Sequence, residues 1–194
     1  MTNAGGIRSS IDEGNITVAD LMVAFPFQNT FDVIRIEGQF LREAFEHSVS
    51  LMTRNGQDGG GRFLQVSGFK VEYDVRNPIG NRVQSLKVVT EEDGEEYVDL
   101  EDDKPYYVVT SNYLVKGGDG YKMLHNNTFY VIGDLDMDVM RREVEMNSPI
   151  KVDLEDRIII HADQTTTDQL NNSNDRIAGG ILIVFISFLT TNII

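Results

Sequence analysis

At 194 residues, with 41% hydrophobic and 25% charged side chains, the chain has the length and make-up of one globular domain with room for a tail. Its formal net charge of −14 argues against a nucleic-acid polymer as partner, which would need a clustered basic face to neutralise phosphates. The lack of cysteine excludes disulfides, thiolate catalysis and cysteine-ligated zinc.

The chain opens with "TNAGGIRSS". A glycine pair followed by an arginine suits a loop that lets a ligand approach the backbone, because glycine carries no Cβ and tolerates unusual φ. "TVADLMVAF" reads as a short helix capped by Thr17, with Asp20 reaching back as an acidic variant of the capping box. It ends at "FPF", where Pro26 pushes the residue before it out of the α region. "TFDVIRIEG" alternates as a strand through Phe31 and Val33, with Ile34 and Ile36 as further apolar positions, and is closed by Gly38. "QFLREAFEHSVSLM" sets Phe40, Leu41, Ala44, Phe45, Ser48 and Leu51 or Met52 on one side of an amphipathic helix.

"NGQDGGGR" breaks the pattern as a loop, and "FLQVSGFKVEYDV" and "RVQSLKVVT" follow as strands joined by the turn "RNPIGN". The acidic run "TEEDGEEYVDLEDDK" suits a solvated hairpin or sheet edge better than a partner-binding patch. "YYVVTSNYLV" is a nearly continuous apolar run suited to a central strand, which "KGGDGY" interrupts. "DLDMDVMRREVEMN" predicts a late helix with acids in its first turn, where they complement the helix dipole. "DRIIIH" closes the domain as a short strand. The expected class is α+β, a mixed sheet packed with helices rather than a βαβ array.

That domain spans residues 1–161. A polar spacer, 162–176, leads to an uncharged and mostly apolar tail, 177–194. Small residues, a polar spacer and an uncharged terminal tail are the ingredients of a GPI-attachment signal. A single transmembrane span is the alternative, although no lysine or arginine follows the tail to retain it. The third option, internal structure, fits poorly behind so polar a stretch. Sequons at Asn15, Asn126 and Asn171 agree with a secreted glycoprotein surface.

No metal site assembles from spacing. His47, His125 and His161 are scattered, and His47 beside Glu46 reads as a half-exposed surface histidine. There is no G-x-S-x-G elbow, and neither "GGGR" nor "GGDG" completes a P-loop. On its own residues the chain does not look catalytic. Three segments do have the composition of a small-ligand clamp: "NAGGIR", "PFQNTF" and "SNYLVKGGDGY". Arg8 offers a planar fork for phosphate or other oxygen-rich groups, and Asn3 offers donors and an acceptor. Phe27 and Tyr113 could stand free as stacking plates, and Asp119 between glycines could accept from two vicinal hydroxyls. Composition alone leaves turns and core aromatics as the more economical account of these segments.

In their order and spacing, "TNAGGIRSSID", "FPFQNTFDVIRIEGQFLREAFEHSV", "FLQVSGFKVEYD" and "SNYLVKGGDGY" resemble the C-terminal domain of the 5′-nucleotidase family, in particular animal ecto-5′-nucleotidases and related apyrases. The resemblance implies that domain's α+β fold and a division of labour. An N-terminal metallophosphoesterase domain, absent from this chain, would hold two divalent metals, usually zinc, and the catalytic residues. The C-terminal domain would recognise the nucleoside and deliver its phosphate to them. Carried over by position, Asn3 and Arg8 would contact the nucleotide, Phe27 and Tyr113 would stack on the base, and Asp119 would hold the ribose hydroxyls. At the position of Tyr113 the family usually has phenylalanine. The resemblance therefore assigns substrate-binding residues but no catalytic or metal-ligating residue here, so the chain is expected to be inactive alone. Its expected partners are a nucleoside monophosphate such as AMP, the absent catalytic domain, a second copy in a homodimer, and the extracellular face of a cell membrane through the lipid anchor. An apyrase acting on ATP and ADP, and a non-catalytic surface module for adhesion or dimerisation, are the competing expectations.

Overall fold

The structure, a computed structural model, describes residues 1–90, 96–151 and 155–163. The apolar tail, the polar spacer beyond Asp163, the Asn171 sequon and the 91–95 part of the acidic run lie outside the described residues.

The strands are β1 (Thr2–Asn3), β2 (Phe31–Glu37), β3 (Leu64–Gln65), β4 (Phe69–Asp74), β5 (Val83–Val89), β6 (Tyr97–Asp99), β7 (Pro105–Ser111), β8 (Phe129–Val131) and β9 (Ile158–His161). The helices are α1 (Val18–Ala24), α2 (Gly38–Ser48), α3 (Asn112–Val115) and α4 (Asp136–Asn147). Among the described residues the strands form three sheets: β1-β3, β7-β2-β8 and β6-β5-β4-β9. All pairs are antiparallel except β4–β9. The class is α+β with mixed pairing, as expected.

Helix α1 begins where its capping chemistry dictates. The Thr17 amide donates to Asp20 Oδ2 at 2.8 Å while Thr17 Oγ1 accepts from the Asp20 amide at 3.3 Å. Leu21, Ala24 and Phe25 then pack with Phe31, Val139 and Met140 in a small core shared with α4. In β2 the inward positions are Ile34 and Ile36, both fully buried in the larger core. Gly38 does not close this strand but opens α2. A Cβ there would lie 2.2 Å from the Glu101 carbonyl oxygen, so the helix start presses on the chain before β7. Leu41, Ala44, Phe45 and Ser48 bury one face of α2, and the helix stops at Ser48. The expected face fails beyond that point, because the chain leaves helical spacing: Met52 is buried and Leu51 is exposed.

The apolar run from Tyr106 is not one central strand. Strand β7 ends at Ser111, whose hydroxyl accepts from the Leu114 amide at 3.4 Å and caps α3. Strand β7 also lies at the sheet edge, while β2 occupies the centre. Leu114 and Val115 are apolar because α3 buries them in the main core, not because a strand continues. This break turns the chain into the glycine-rich stretch that follows.

Candidate functional site

Pairing of β1 with β3 sets Asn3 opposite Leu64. Just beyond, the Ala4 amide donates to the Phe63 carbonyl at 2.7 Å and the Gly5 amide to the Gly61 carbonyl at 2.8 Å. A Cβ on Gly5 would stand 3.0 Å from Gly61 Cα, so the opening glycine serves a close approach of two main chains. Asn3 is 5% exposed, and its side-chain amide donates to Asp119 Oδ2 at 2.7 Å.

Asp119 arrives from α3 through a tight turn with positive φ at Gly117 (82°), Asp119 (51°) and Gly120 (89°). For an aspartate this left-handed geometry costs on the order of 1 kcal/mol, and the surroundings hold it at several points. The Tyr113 hydroxyl donates to Asp119 Oδ1 at 2.8 Å and accepts from the Asp119 amide at 3.2 Å. The Asp119 carbonyl lies 2.8 Å from His47 Nε2 on α2, so that ring nitrogen is the donor. His47 in turn packs edge-on against Tyr121, with ring centroids 4.8 Å apart. The bond to Asp119 raises the Tyr113 phenol above its ordinary pKa, with desolvation adding to it.

The Tyr113 ring is itself fixed. A Cβ on Gly118 would lie 2.5–2.6 Å from Cδ1, Cε1 and Cζ of the ring alike. Near-equal distances to three consecutive ring atoms place that point over the ring face. One face of Tyr113 is therefore backed by the Gly118 main chain, and the side chain stays 42% exposed. Arg8 and Phe27 form the second group. The Arg8 amide donates to the Ala24 carbonyl at the end of α1 at 3.0 Å. The Arg8 guanidinium carbon lies 5.9 Å from the Phe27 ring centroid, and Nη1 reaches the Gly5 carbonyl at 3.4 Å. Phe27 is 56% exposed.

The structure thus joins Asn3, Tyr113 and Asp119 directly by hydrogen bonds and pairs Arg8 with Phe27. The Asn3–Arg8 segment links the two groups, and neither ring is a core plug. Sequence reasoning missed His47. Its partner is a main-chain carbonyl on a distant loop, and no local pattern marks it. Chemically the corner offers an anchored carboxylate, an amide, a guanidinium and exposed aromatic surface. Among the described residues there is no group of three or more His, Asp or Glu that could hold a metal ion.

Against known proteins, a profile described as "5′-nucleotidase, C-terminal domain" matches residues 1–126. The chain belongs to the 5′-nucleotidase C-terminal domain family. It is 43% identical over 168 residues to a snake venom 5′-nucleotidase of Naja atra, covering 84% of this chain and 31% of that protein. It is 42% identical over 163 residues to the 5′-nucleotidase of Rattus norvegicus, covering 81% and 28%. An apyrase of Tabanus yao is 41% identical over 162 residues, covering 82% and 29%. Among solved structures, a 5′-nucleotidase precursor from Thermus thermophilus superposes with a TM-score of 0.76 at 34% identity, covering 84% of this chain and 31% of that one. The domain therefore spans less than a third of the length of each of these relatives. Its fold is that of a 5′-nucleotidase C-terminal domain.

Proposed function

We propose that residues 1–161 are the nucleoside-recognition domain of a cell-surface 5′-nucleotidase that hydrolyses nucleoside 5′-monophosphates such as AMP. The observation that carries the reading is the bonded trio Asn3–Tyr113–Asp119, which sets an exposed aromatic ring and an anchored carboxylate side by side. Tyr113 and Phe27 stack on the base, Asp119 accepts from the ribose hydroxyls, and Asn3 and Arg8 face the sugar–phosphate side. Catalysis belongs to a metallophosphoesterase domain outside this chain. There, two divalent metals, zinc in the resemblance, would activate water and stabilise charge on the phosphoryl oxygens.

Residues 162–176 are a polar spacer and residues 177–194 a GPI-attachment signal, which places the domain on the extracellular side of the membrane. The snake venom relatives agree with an extracellular setting. A homodimer through this domain is part of the same reading. Similarity to the Tabanus apyrase favours a second reading, hydrolysis of ATP and ADP, and assays of a full-length product on AMP, ADP and ATP distinguish the two.

The domain itself is tested by titrating adenosine into the chain and into Phe27→Ala and Tyr113→Ala. Stacking of a base on a ring is worth about 1–3 kcal/mol, so each substitution weakens binding by about fivefold or more. Equal affinity in all three proteins refutes the recognition site.

A further inference from the structure

We infer that the Tyr113 hydroxyl is a positioning group for ribose recognition, orienting the Asp119 carboxylate so that each of its oxygens keeps a free acceptor direction for one of two vicinal hydroxyls. The inference rests on the nucleoside reading above and goes beyond it. It gives one side chain two separable functions, a stacking plate and a carboxylate anchor.

Every polar group of Asp119 is engaged. Oδ2 accepts from Asn3 at 2.7 Å, Oδ1 accepts from Tyr113 at 2.8 Å, the amide donates to the Tyr113 hydroxyl at 3.2 Å, and the carbonyl meets His47 Nε2 at 2.8 Å. An ionised carboxylate has about four acceptor directions. With one taken on each oxygen, one on each remains, which is the arrangement that a pair of adjacent sugar hydroxyls requires. Asn3 alone would leave Oδ1 unheld and the carboxylate free to turn about its last bond.

Tyr113 can prevent that rotation because it is itself immobilised. Its ring lies against the Gly118 main chain, and its hydroxyl both donates to and accepts from the same residue. The plate and the acceptor thus move as one unit. Phenylalanine at this position would keep the ring and lose both hydrogen bonds, so the two functions can be separated by removing one oxygen atom.

The test compares the 194-residue chain with Tyr113→Phe, each titrated with adenosine and with 2′,3′-dideoxyadenosine, alongside amide exchange at Asp119. The unaltered chain prefers adenosine. Tyr113→Phe keeps the ring, so its affinity for the dideoxynucleoside falls less than its affinity for adenosine. Its preference for adenosine falls by about fivefold to tenfold, the worth of one well-placed hydrogen bond. The Asp119 amide exchanges faster in the variant. An unchanged adenosine preference overturns the inference and leaves the nucleoside reading standing. A rise in adenosine affinity also overturns it, since the hydroxyl would then be competing with the sugar. If the unaltered chain binds neither ligand, the nucleoside reading fails and the inference goes with it.

Discussion

Gly118→Ala probes the corner without removing any group that would touch a ligand. No left-handed φ is needed at Gly118, so alanine is compatible with the backbone there, and only the added methyl matters. That methyl would lie 2.5 Å from the Tyr113 ring, whereas carbon atoms pack at about 3.5–4.0 Å. The ring must retreat by roughly 1 Å or more to restore that spacing, which breaks both of its hydrogen bonds to Asp119. Because Tyr113 is exposed, the ring can swing into solvent rather than strain the core. The stability loss is then that of two modest hydrogen bonds, about 1–2 kcal/mol. Binding suffers more. Losing one stacked ring worth about 1–3 kcal/mol, together with the carboxylate's anchor, reduces adenosine affinity by about tenfold or more. Urea denaturation followed by far-UV circular dichroism measures the first quantity and calorimetric titration the second. A Gly118→Ala chain that binds adenosine as tightly as the parent would refute the argument that the Tyr113 plate forms part of the site.

One further outcome follows from the fold. Gly38→Ala places a methyl 2.2 Å from the Glu101 carbonyl oxygen, a fixed main-chain atom, and should destabilise the domain by about 2–3 kcal/mol in urea.

How much of this was legible beforehand depends on the range of the interaction. The Thr17–Asp20 cap and the buried face of α2 are local patterns, and both appear where the residues put them. The end of β7 was not legible. Ser111 looks like one more strand residue until its hydroxyl is seen capping α3, and the apolar Leu114 and Val115 fit a strand or a buried helical turn equally well. Strands β6 and β8 are only three residues long, too short to show periodicity. Of the residues carried over by resemblance, the structure bonds Asn3 and Tyr113 to Asp119 and, separately, pairs Arg8 with Phe27. The Tyr113–Asp119 bond is not legible in the sequence, because the hydroxyl finds its partner six positions away on a left-handed turn. His47 was hidden for a similar reason, since its acceptor is main chain and lies 72 positions along.

Asn3 and Asp119 meet across 116 positions of sequence. A nascent chain leaving the ribosome therefore carries the amide long before the carboxylate exists, and no earlier fragment can assemble the corner. Closing so long a loop comes late and slowly, because its entropy is lost before the contact rewards it. Ligand capture at this corner would accordingly report that synthesis has passed Asp119 and that the two distant segments have met.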